Sequence, residues 1–204
     1  MHDFQPRKRP KQRRSRQTFD AIVEACARLL VERGYGSLTT NHIAEAAGVS
    51  IGSLYEYFGD KDTIVYQVVS RTALDFFEEA SHPLTALSGR PVDEAITVWL
   101  RTLYAAMRSR EALLRALAED VPLAIREPHR REAFDRHLAL ARAAYLAAGD
   151  RVRQDRVEEV SFLVVTLVDA ALTRLVLEPP DDIDADAVMQ ELGTRLLEWV
   201  SPRG

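Results

Sequence analysis

Two short helical patterns joined through one glycine are the feature that most limits the fold of this chain. The small side chain of Ala44 lets two helices approach closely, and Gly48, four residues later, can adopt the left-handed conformation that ends a helix. Leu54 follows after six more residues and is placed to fill the angle between the helices. The pattern predicts a helix-turn-helix whose second helix projects outward. The same spacing also occurs by chance in helical proteins, so the surrounding residues have to support it.

Residues that favour helix ends lie where this motif requires them. Thr39 and Ser50 precede the two patterns, and both are residue types whose side-chain oxygen caps the first turn of a helix. An earlier amphipathic pattern starts at Arg16 and closes at Gly34, and another starts at Asp60. The N-terminal part is therefore predicted to be a three-helix bundle that carries the helix-turn-helix.

The rest of the chain also has apolar residues at helical spacing, with no run of alternating residues of strand propensity. The fold class is therefore predicted to be all-α, with a helical C-terminal domain. Pro128 falls inside one long pattern and can divide it into two pieces. The helices expected after the break at residues 88–91 span 91–108, 110–120, 123–148, 153–177 and 184–200.

The charge of the chain is unevenly distributed. Residues 1–16 contain seven basic residues and one acidic residue, whereas the whole chain has a formal net charge of −4. Residues 1–61 carry a net +3 and residues 62–204 a net −7. One end attracts phosphates while the remainder repels them, which favours a nucleic-acid partner bound at the N-terminal end.

Cysteine use and the apolar runs bear on the compartment. The single Cys26 excludes an internal disulfide and a cysteine metal cage, and its place in a helical pattern predicts a core residue. The chain opens with polar residues and without a signal-peptide pattern. The most apolar run, 161–172, contains Asp169 and is shorter than the roughly 20 residues of a membrane span. A soluble cytoplasmic protein is expected.

The pattern over 153–177 is apolar on nearly every side, which predicts a helix buried all round. With the amphipathic helix after it, it forms a pair with more apolar surface than one core needs. A dimer interface is therefore expected, with the central helix of a monomeric bundle as the alternative. The predicted dimer residues are Leu163, Leu167, Leu172, Leu192, Leu196 and Trp199.

Catalytic patterns are weak throughout the sequence. There is no glycine-rich phosphate loop, and no convincing set of nucleophile and base or of paired carboxylates. His129 and His137 lie eight residues apart and can share a helix face with Glu132, but solvated helix residues explain them more simply. The protein is predicted not to be an enzyme and to need no cofactor and no metal.

A long ordered signature surrounds the helix-turn-helix. It comprises Thr39-Thr40, Ile43-Ala44, Ala47-Gly48-Val49-Ser50, Gly52, Leu54-Tyr55, Tyr57-Phe58 and Lys61. With these residues, the segment 15–65 resembles the DNA-binding domain of the tetracycline-repressor (TetR) family of bacterial transcription regulators. The resemblance covers about a quarter of the chain. It implies a homodimer, most often a repressor, that binds a palindromic operator on double-stranded DNA and releases it when a small molecule enters the C-terminal domain.

Three segments follow from the patterns and the resemblance together. Residues 1–14 are expected to be a disordered basic arm, since they have no apolar face. Residues 15–61 are expected to be the DNA-binding domain, and residues 62–204 a helical effector-binding and dimerisation domain. An architectural or protein-interaction module that binds DNA without effector control is the alternative function.

The second helix of the motif is the expected DNA-reading element. Its outward surface can enter a major groove about 12 Å wide, where Gly52 permits close backbone approach and Ile51 can touch a thymine methyl group. Neither is a bidentate reader of bases, so discrimination is expected to depend on Tyr55, Ser53, apolar contact and DNA shape. The predicted DNA-binding residues are Thr40, Asn41, Ser50, Ile51, Gly52, Ser53, Tyr55, Tyr57 and Lys61.

Some of these roles come from the resemblance and have open alternatives. The matching positions imply that Thr40, Tyr57 and Lys61 hold phosphates, as their hydroxyl and ammonium donors allow. Packing inside the domain is the alternative for Tyr55 and Tyr57. The basic arm can follow a minor groove or serve as a solubilising tail. Its predicted DNA contacts are Arg13, Arg14 and Arg16.

An effector cavity is hypothesised among the helices at 91–108, 123–148 and the start of 153–177. Large apolar side chains with a few polar tips are typical walls of small-molecule pockets, although aromatic residues at helical spacing more often form ordinary core. The predicted lining residues are Trp99, Tyr104, Met107, Phe134, Tyr145 and Phe162.

Overall fold

The computed structural model describes residues 4–8, 10–86, 90–153 and 155–202, and most of these residues are helical. No strand occurs among these residues, which confirms the predicted all-α class. A short 3-10 turn, Gly149–Arg151, follows the seventh helix. The helices are α1 (Arg13–Arg33), α2 (Thr40–Ala46), α3 (Ile51–Tyr57), α4 (Lys61–Ala86), α5 (Val92–Ser109), α6 (Glu111–Glu119), α7 (Leu123–Ala148), α8 (Val157–Leu177) and α9 (Ala185–Val200).

The chain divides into two compact units, and each unit contains two separate stretches of sequence. The first, here called unit 1, contains residues 1–73 and 112–130. The second, unit 2, contains residues 74–111 and 131–204. The division differs from the boundary expected at residue 61, because the first half of α4 and a later segment around α6 pack with the N-terminal helices. Leu117, Val121 and Ile125 supply that later packing.

The helix-turn-helix has the geometry that its residues predict. Gly48 has φ +67°, and the backbone N–H of Val49 donates to the carbonyl of Ala44 at 3.0 Å. Thr39 caps α2 by accepting from the N–H of His42 at 3.2 Å, and Ser50 caps α3 by accepting from the N–H of Ser53 at 3.0 Å. The glycine therefore closes α2 in the left-handed conformation that side-chain-bearing residues disfavour.

The core of unit 1 holds α3 in place. Leu54 and Phe58 are fully buried, and Phe58 packs on Phe19 of α1 with ring centroids 4.8 Å apart. Gly34, with φ +71°, ends α1 as the sequence predicted. Cys26 is a core residue, as expected, and burial raises the pKa of its thiol to about 12. The thiol therefore stays protonated and unreactive near neutral pH.

In unit 2, α5 packs against both α8 and α9. Leu100 of α5, Leu172 of α8 and Leu196 of α9 are among the fully buried side chains. The helix α7 is continuous, so Pro128, which lies inside it, does not divide it into two pieces. Unit 2 is thus a helical bundle in which α5 contacts both members of the C-terminal pair.

The helix α8 departs from the sequence-based expectation in length and in burial. It spans 21 residues with a mean hydropathy of 2.0, which is long and apolar enough for a membrane span by length and composition alone. Apolar core helices pass the same test. Phe162, Leu163 and Leu167 are 50%, 42% and 39% exposed in the single chain, so this face of α8 is not covered by unit 2.

Truncating Phe58 tests whether the core of unit 1 holds α3. Because its ring is fully buried, Phe58→Ala is expected to lower the free energy of unfolding of unit 1 by about 3–5 kcal/mol. Ile51→Ala, on the exposed side of α3, is the control and should change it by less than about 1 kcal/mol. Chemical denaturation followed by circular dichroism measures both values, and equal losses would contradict this packing.

Candidate nucleic-acid interface and ligand cavity

The outward surface of α3 combines apolar and hydroxyl groups. Ile51 is 39% exposed and Tyr55 is 40% exposed, and Gly52 between them is exposed as well. The hydroxyls of Ser50 and Ser53 lie 2.9 Å apart at the start of the helix. The structure therefore brings these five predicted residues together on one accessible surface. None of these five residues has a carboxylate side chain.

A hydrogen bond links this surface to α2. The hydroxyl groups of Thr40 and Tyr55 are 3.1 Å apart, so one donates to the other. The side chain of Asn41, the next residue on α2, is exposed. The bond ties the side chain of Tyr55 on α3 to α2. Thr40, Asn41 and Tyr55 thus form a polar edge beside the exposed start of α3.

Two of the predicted phosphate contacts have other surroundings. Tyr57 is only 6% exposed and its ring packs edge-on against Phe19 at 6.0 Å, so it does not belong to the exposed surface. Lys61 is partly buried, where its ammonium group donates to the carbonyl of Tyr35 at 3.1 Å and lies 4.1 Å from the centre of that ring. Burial and a hydrogen bond to Asp62 raise the pKa of Tyr35, which keeps its hydroxyl protonated.

The N-terminal segment is ordered where the sequence predicted a disordered arm. The ring of Phe4 stacks on Tyr66 with centroids 5.2 Å apart. The backbone N–H of Arg7 donates to the carbonyl of Tyr57 at 2.8 Å, and its guanidinium donates to the carbonyl of Tyr55 at 3.3 Å. Residues 1–3 and 9 of the predicted arm lie outside the described residues. The segment from Phe4 to Arg7 therefore anchors on unit 1 and satisfies carbonyls at the end of α3.

Arg7 was missed as a structural residue because the sequence shows it only as one charge in a basic run. Phe4 is the available signal, since an isolated aromatic residue beside Pro6 marks a segment that can pack. Arg13, Arg14 and Arg16, the predicted arm contacts, are exposed and belong to the first turn of α1. Part of the basic charge is thus carried by a helix.

Unit 2 contains a cavity of about 470 Å³ that is lined mainly by α5, α7, α8 and α9. Its size lies within the roughly 300–1,000 Å³ of ordinary small-molecule pockets. Of the residues predicted to line an effector site, Trp99 and Tyr145 are in its wall. The structure does not bring the other four to this cavity. Met107 is buried, Tyr104 is partly buried, and Phe134 packs edge-on against the exposed Phe162 at 5.9 Å.

The residues predicted for the dimer interface fall into two groups. Leu163 and Leu167 lie on the exposed apolar face of α8, and Leu192 and Trp199 on α9 are partly buried. Leu172 and Leu196 are buried inside unit 2, so in this chain they are core residues and not surface residues.

The weak metal pattern around α7 resolves into aromatic packing. His129 is 6% exposed and its ring lies 4.1 Å from the ring of Tyr66 in unit 1. His137, in unit 2, contacts the rings of Phe76 and Phe77, with centroids 5.7 and 5.6 Å away, and burial lowers its pKa. The expectation of solvated side chains was therefore wrong. Within the described residues, no group of three His, Cys, Asp or Glu side chains is placed to hold a metal ion.

Comparison with known families places the helix-turn-helix in a defined group. Residues 22–68 match the family model for bacterial regulatory proteins of the tetR family. The HTH-type transcriptional regulator HbdR of Aromatoleum sp. (strain CIB) is 41% identical over 58 residues, which are 28% of this chain and 25% of HbdR. The repressor KstR2 of Mycolicibacterium smegmatis is 33% identical over 78 residues, 34% of this chain and 38% of KstR2. These matches span well under half of either relative.

Solved structures share the fold over nearly the whole chain. A putative TetR-family regulator from Mesorhizobium loti has a TM-score of 0.76 at 19% identity, and the match covers 94% of this chain and all of that one. The SmeT–triclosan complex has a TM-score of 0.71 at 19% identity, with 92% and 93% covered. At such low identities the likeness concerns the fold.

Replacing Arg7 tests whether the N-terminal segment supports α3. Arg7→Gln removes the guanidinium that donates to the carbonyl of Tyr55, and the loss of one hydrogen bond is expected to cost about 0.5–1.5 kcal/mol of unfolding free energy. Amide hydrogen exchange over residues 55–59 should become faster. Lys8→Gln is the matched control and should leave both unchanged. Unaltered exchange in Arg7→Gln would contradict the anchoring role.

Proposed function

We propose that this chain, which belongs to the tetR family of bacterial regulatory proteins, binds a palindromic DNA operator as a homodimer and releases it when a small molecule enters unit 2. The observation that carries the proposal is the exposed surface of α3. Ser50 caps this helix, and Leu54 on its opposite side is fully buried. The chain is a TetR family transcriptional regulator, and the named relatives are regulators and not enzymes. Repression, as in the relative named a repressor, and a cytoplasmic location are part of the proposal.

In the proposed complex α3 enters the major groove. Ile51 offers an apolar contact to thymine methyl groups, Gly52 lets the backbone approach, and the hydroxyls of Ser53 and Tyr55 offer hydrogen bonds. None of these side chains is the bidentate Arg or Gln reader typical of strong base readout. Sequence preference is therefore expected to depend substantially on DNA shape and deformability.

Contacts to the DNA backbone are proposed around this helix. Thr40 and Asn41 lie on the polar edge beside α3 and can donate to phosphates. Lys61 has three donors, of which one is used by the carbonyl of Tyr35, so its ammonium group can also hold a phosphate. The burial of Tyr57 leaves at most its hydroxyl for such a contact. Arg13, Arg14 and Arg16 add positive charge at the start of α1.

Dimerisation is proposed through the exposed apolar face of α8. Phe162, Leu163 and Leu167 form a contiguous apolar set on one helix, and such a surface is unfavourable in water unless it is covered. A second copy of the chain covers it symmetrically through the same face. Two copies then present two α3 helices, which matches a palindromic operator with half-sites about 34 Å apart or a multiple of that spacing.

Effector control is proposed to act through the cavity in unit 2. The fold neighbour SmeT has been solved in a complex with triclosan. The helix α4 has residues in both units, so a ligand that changes its tilt would alter the separation of the two α3 helices. A coupling free energy of about 1–3 kcal/mol changes operator affinity roughly five- to 150-fold. A module that binds DNA without this response remains the alternative, distinguished by ligand binding that leaves DNA affinity unaltered.

Salt dependence tests both DNA binding and the arm. Wild-type protein is expected to bind a mixed-sequence duplex with an affinity that falls steeply with salt, by about 0.9 in log–log slope for each phosphate contacted. The triple variant Arg13→Gln, Arg14→Gln, Arg16→Gln should reduce the slope by about 2–3 if each arginine meets a phosphate. Fluorescence anisotropy measures the slope.

A charge-matched control separates local contact from net charge. Arg101→Gln, Arg108→Gln and Arg156→Gln together remove the same charge from unit 2 and should leave the slope unchanged. An unchanged slope in the first variant excludes the three arginines as DNA contacts. A wild-type protein that binds no duplex at low salt contradicts the proposed function itself.

A charge placed on α8 tests the proposed dimer. Leu163→Glu puts a carboxylate into the apolar face, and burying it without a partner is expected to convert the dimer into a monomer at micromolar concentration. Leu146→Glu on α7, where the leucine is 60% exposed, is the matched control and should remain dimeric. Sedimentation velocity distinguishes the species. A wild-type protein that is already monomeric rules out this interface.

A further inference from the structure

The wall of the cavity in unit 2 contains three buried polar atoms without a hydrogen-bond partner in the described structure. They are Nε1 of Trp99, the hydroxyl oxygen of Tyr145 and Oγ of Ser161. Ser161 is 1% exposed and Tyr145 7% exposed. Buried polar atoms in folded proteins nearly always have a partner, because leaving one unpaired is costly. Because all three residues line one cavity, a ligand bound there can supply the missing partners once these side chains turn toward it.

The chemistry of these three atoms limits what that ligand offers. The indole nitrogen of Trp99 is a donor only, and the two hydroxyls can donate. Burial raises the pKa of the Tyr145 hydroxyl, so it remains a donor near neutral pH. A molecule that satisfies the tryptophan must therefore carry a hydrogen-bond acceptor, and oxygen is the acceptor that suits all three.

The remaining wall is apolar and has few bulky side chains on one side. The helix α7 contributes mostly alanines to the wall, among them Ala141, Ala144 and Ala148, together with Leu140 and Tyr145. Val164 of α8 and Ile96 of α5 lie in the wall as well. The space that these small residues leave suits an apolar body, since a polar one would lose its hydration without compensation.

Positive charge lies at one part of the lining. Among the described residues, Arg90 and Arg151 are the only charged ones in the cavity wall, and both are exposed. The guanidinium of Arg151 donates to the carbonyls of Ala148 at 3.0 Å and of Arg90 at 2.8 Å, which hold it in position without neutralising it. Two of its five donors are used, and the others suit a carboxylate. Arg90 also lies 3.7 Å from Glu94 in an ion pair.

We propose that the cavity binds an organic acid with an apolar body, whose carboxylate lies at Arg151 and Arg90 and whose oxygen atoms accept from the buried donors. The inference rests on the proposed function, because it names the chemical class of the effector. It assigns Arg151 as the residue that selects the acid. Trp99 and Ser161 act inside the cavity, where they disfavour a purely hydrocarbon ligand.

Three probes of equal apolar size test the head group: 4-phenylbutyrate, 4-phenylbutan-1-ol and 4-phenylbutan-1-amine. Calorimetric titration of the full chain without DNA is expected to show that the acid binds about tenfold or more tightly than the alcohol, as a charge-assisted hydrogen bond would give, and that the amine binds weakest. Higher salt should weaken the binding of the acid and of no other probe. Equal affinities, a preference for the amine or no binding of the acid at millimolar concentration would overturn the proposal.

Variants locate the interaction. Arg151→Met should weaken the binding of the acid about ten- to a hundredfold and leave the binding of the alcohol unchanged. Arg156 is exposed and lies outside the cavity wall, so Arg156→Met should change neither affinity. Ala144→Phe fills the space and should abolish binding of all three probes, with the folded state checked by circular dichroism. Acid binding that survives Ala144→Phe, or that is indifferent to Arg151→Met, would contradict the assignment.

The readout keeps this proposal separate from the proposed function. A protein that binds the acid selectively but binds no duplex would retain the ligand assignment and lose the DNA-binding function. A protein that binds duplex but does not distinguish the three head groups would do the opposite.

Discussion

The burial of Leu54 and Phe58 is the interaction on which the rest of the structure depends. The helix α3 has only seven residues, and a helix of that length is not stable alone in water. It exists because its inner side packs on α1 and α2, with both side chains fully buried. The same packing determines which residues point outward. The surface of Ile51 and Tyr55 is therefore a consequence of the core beneath it, and the proposed DNA contact inherits its geometry from that core.

Local features of unit 1 could be predicted from the sequence because each depends on residues a few positions apart. The left-handed glycines Gly34 and Gly48 and the caps Thr39 and Ser50 require particular residue types at particular backbone positions. For Tyr57 the family resemblance predicted a phosphate contact, whereas helical periodicity favours packing inside the domain. It follows Leu54 by three residues, so it shares the inward side of the helix, and the structure buries it accordingly.

Features that depend on distant parts of the chain could not be predicted in the same way. Periodicity indicates that Leu117 and Ile125 face a core, but it does not say which core, and the structure places them in unit 1. The cavity in unit 2 is a similar case. Large aromatic residues were expected to define it, whereas the space is left by the small side chains of Ala144 and its neighbours on α7. Small side chains repeated at helical spacing are a sequence signal for a cavity, and a search for bulky residues alone does not find it.

Selection of bound sequences from a random pool of duplex DNA, at near-physiological salt, tests the central claim most directly. If the surface of α3 enters the major groove twice, the selected sequences should contain an inverted repeat whose half-sites lie about 10 base pairs apart, centre to centre, or a multiple of that spacing. The repeat should disappear when Tyr55 and Ile51 are both replaced by alanine. A wild-type protein that enriches no inverted repeat would contradict the account.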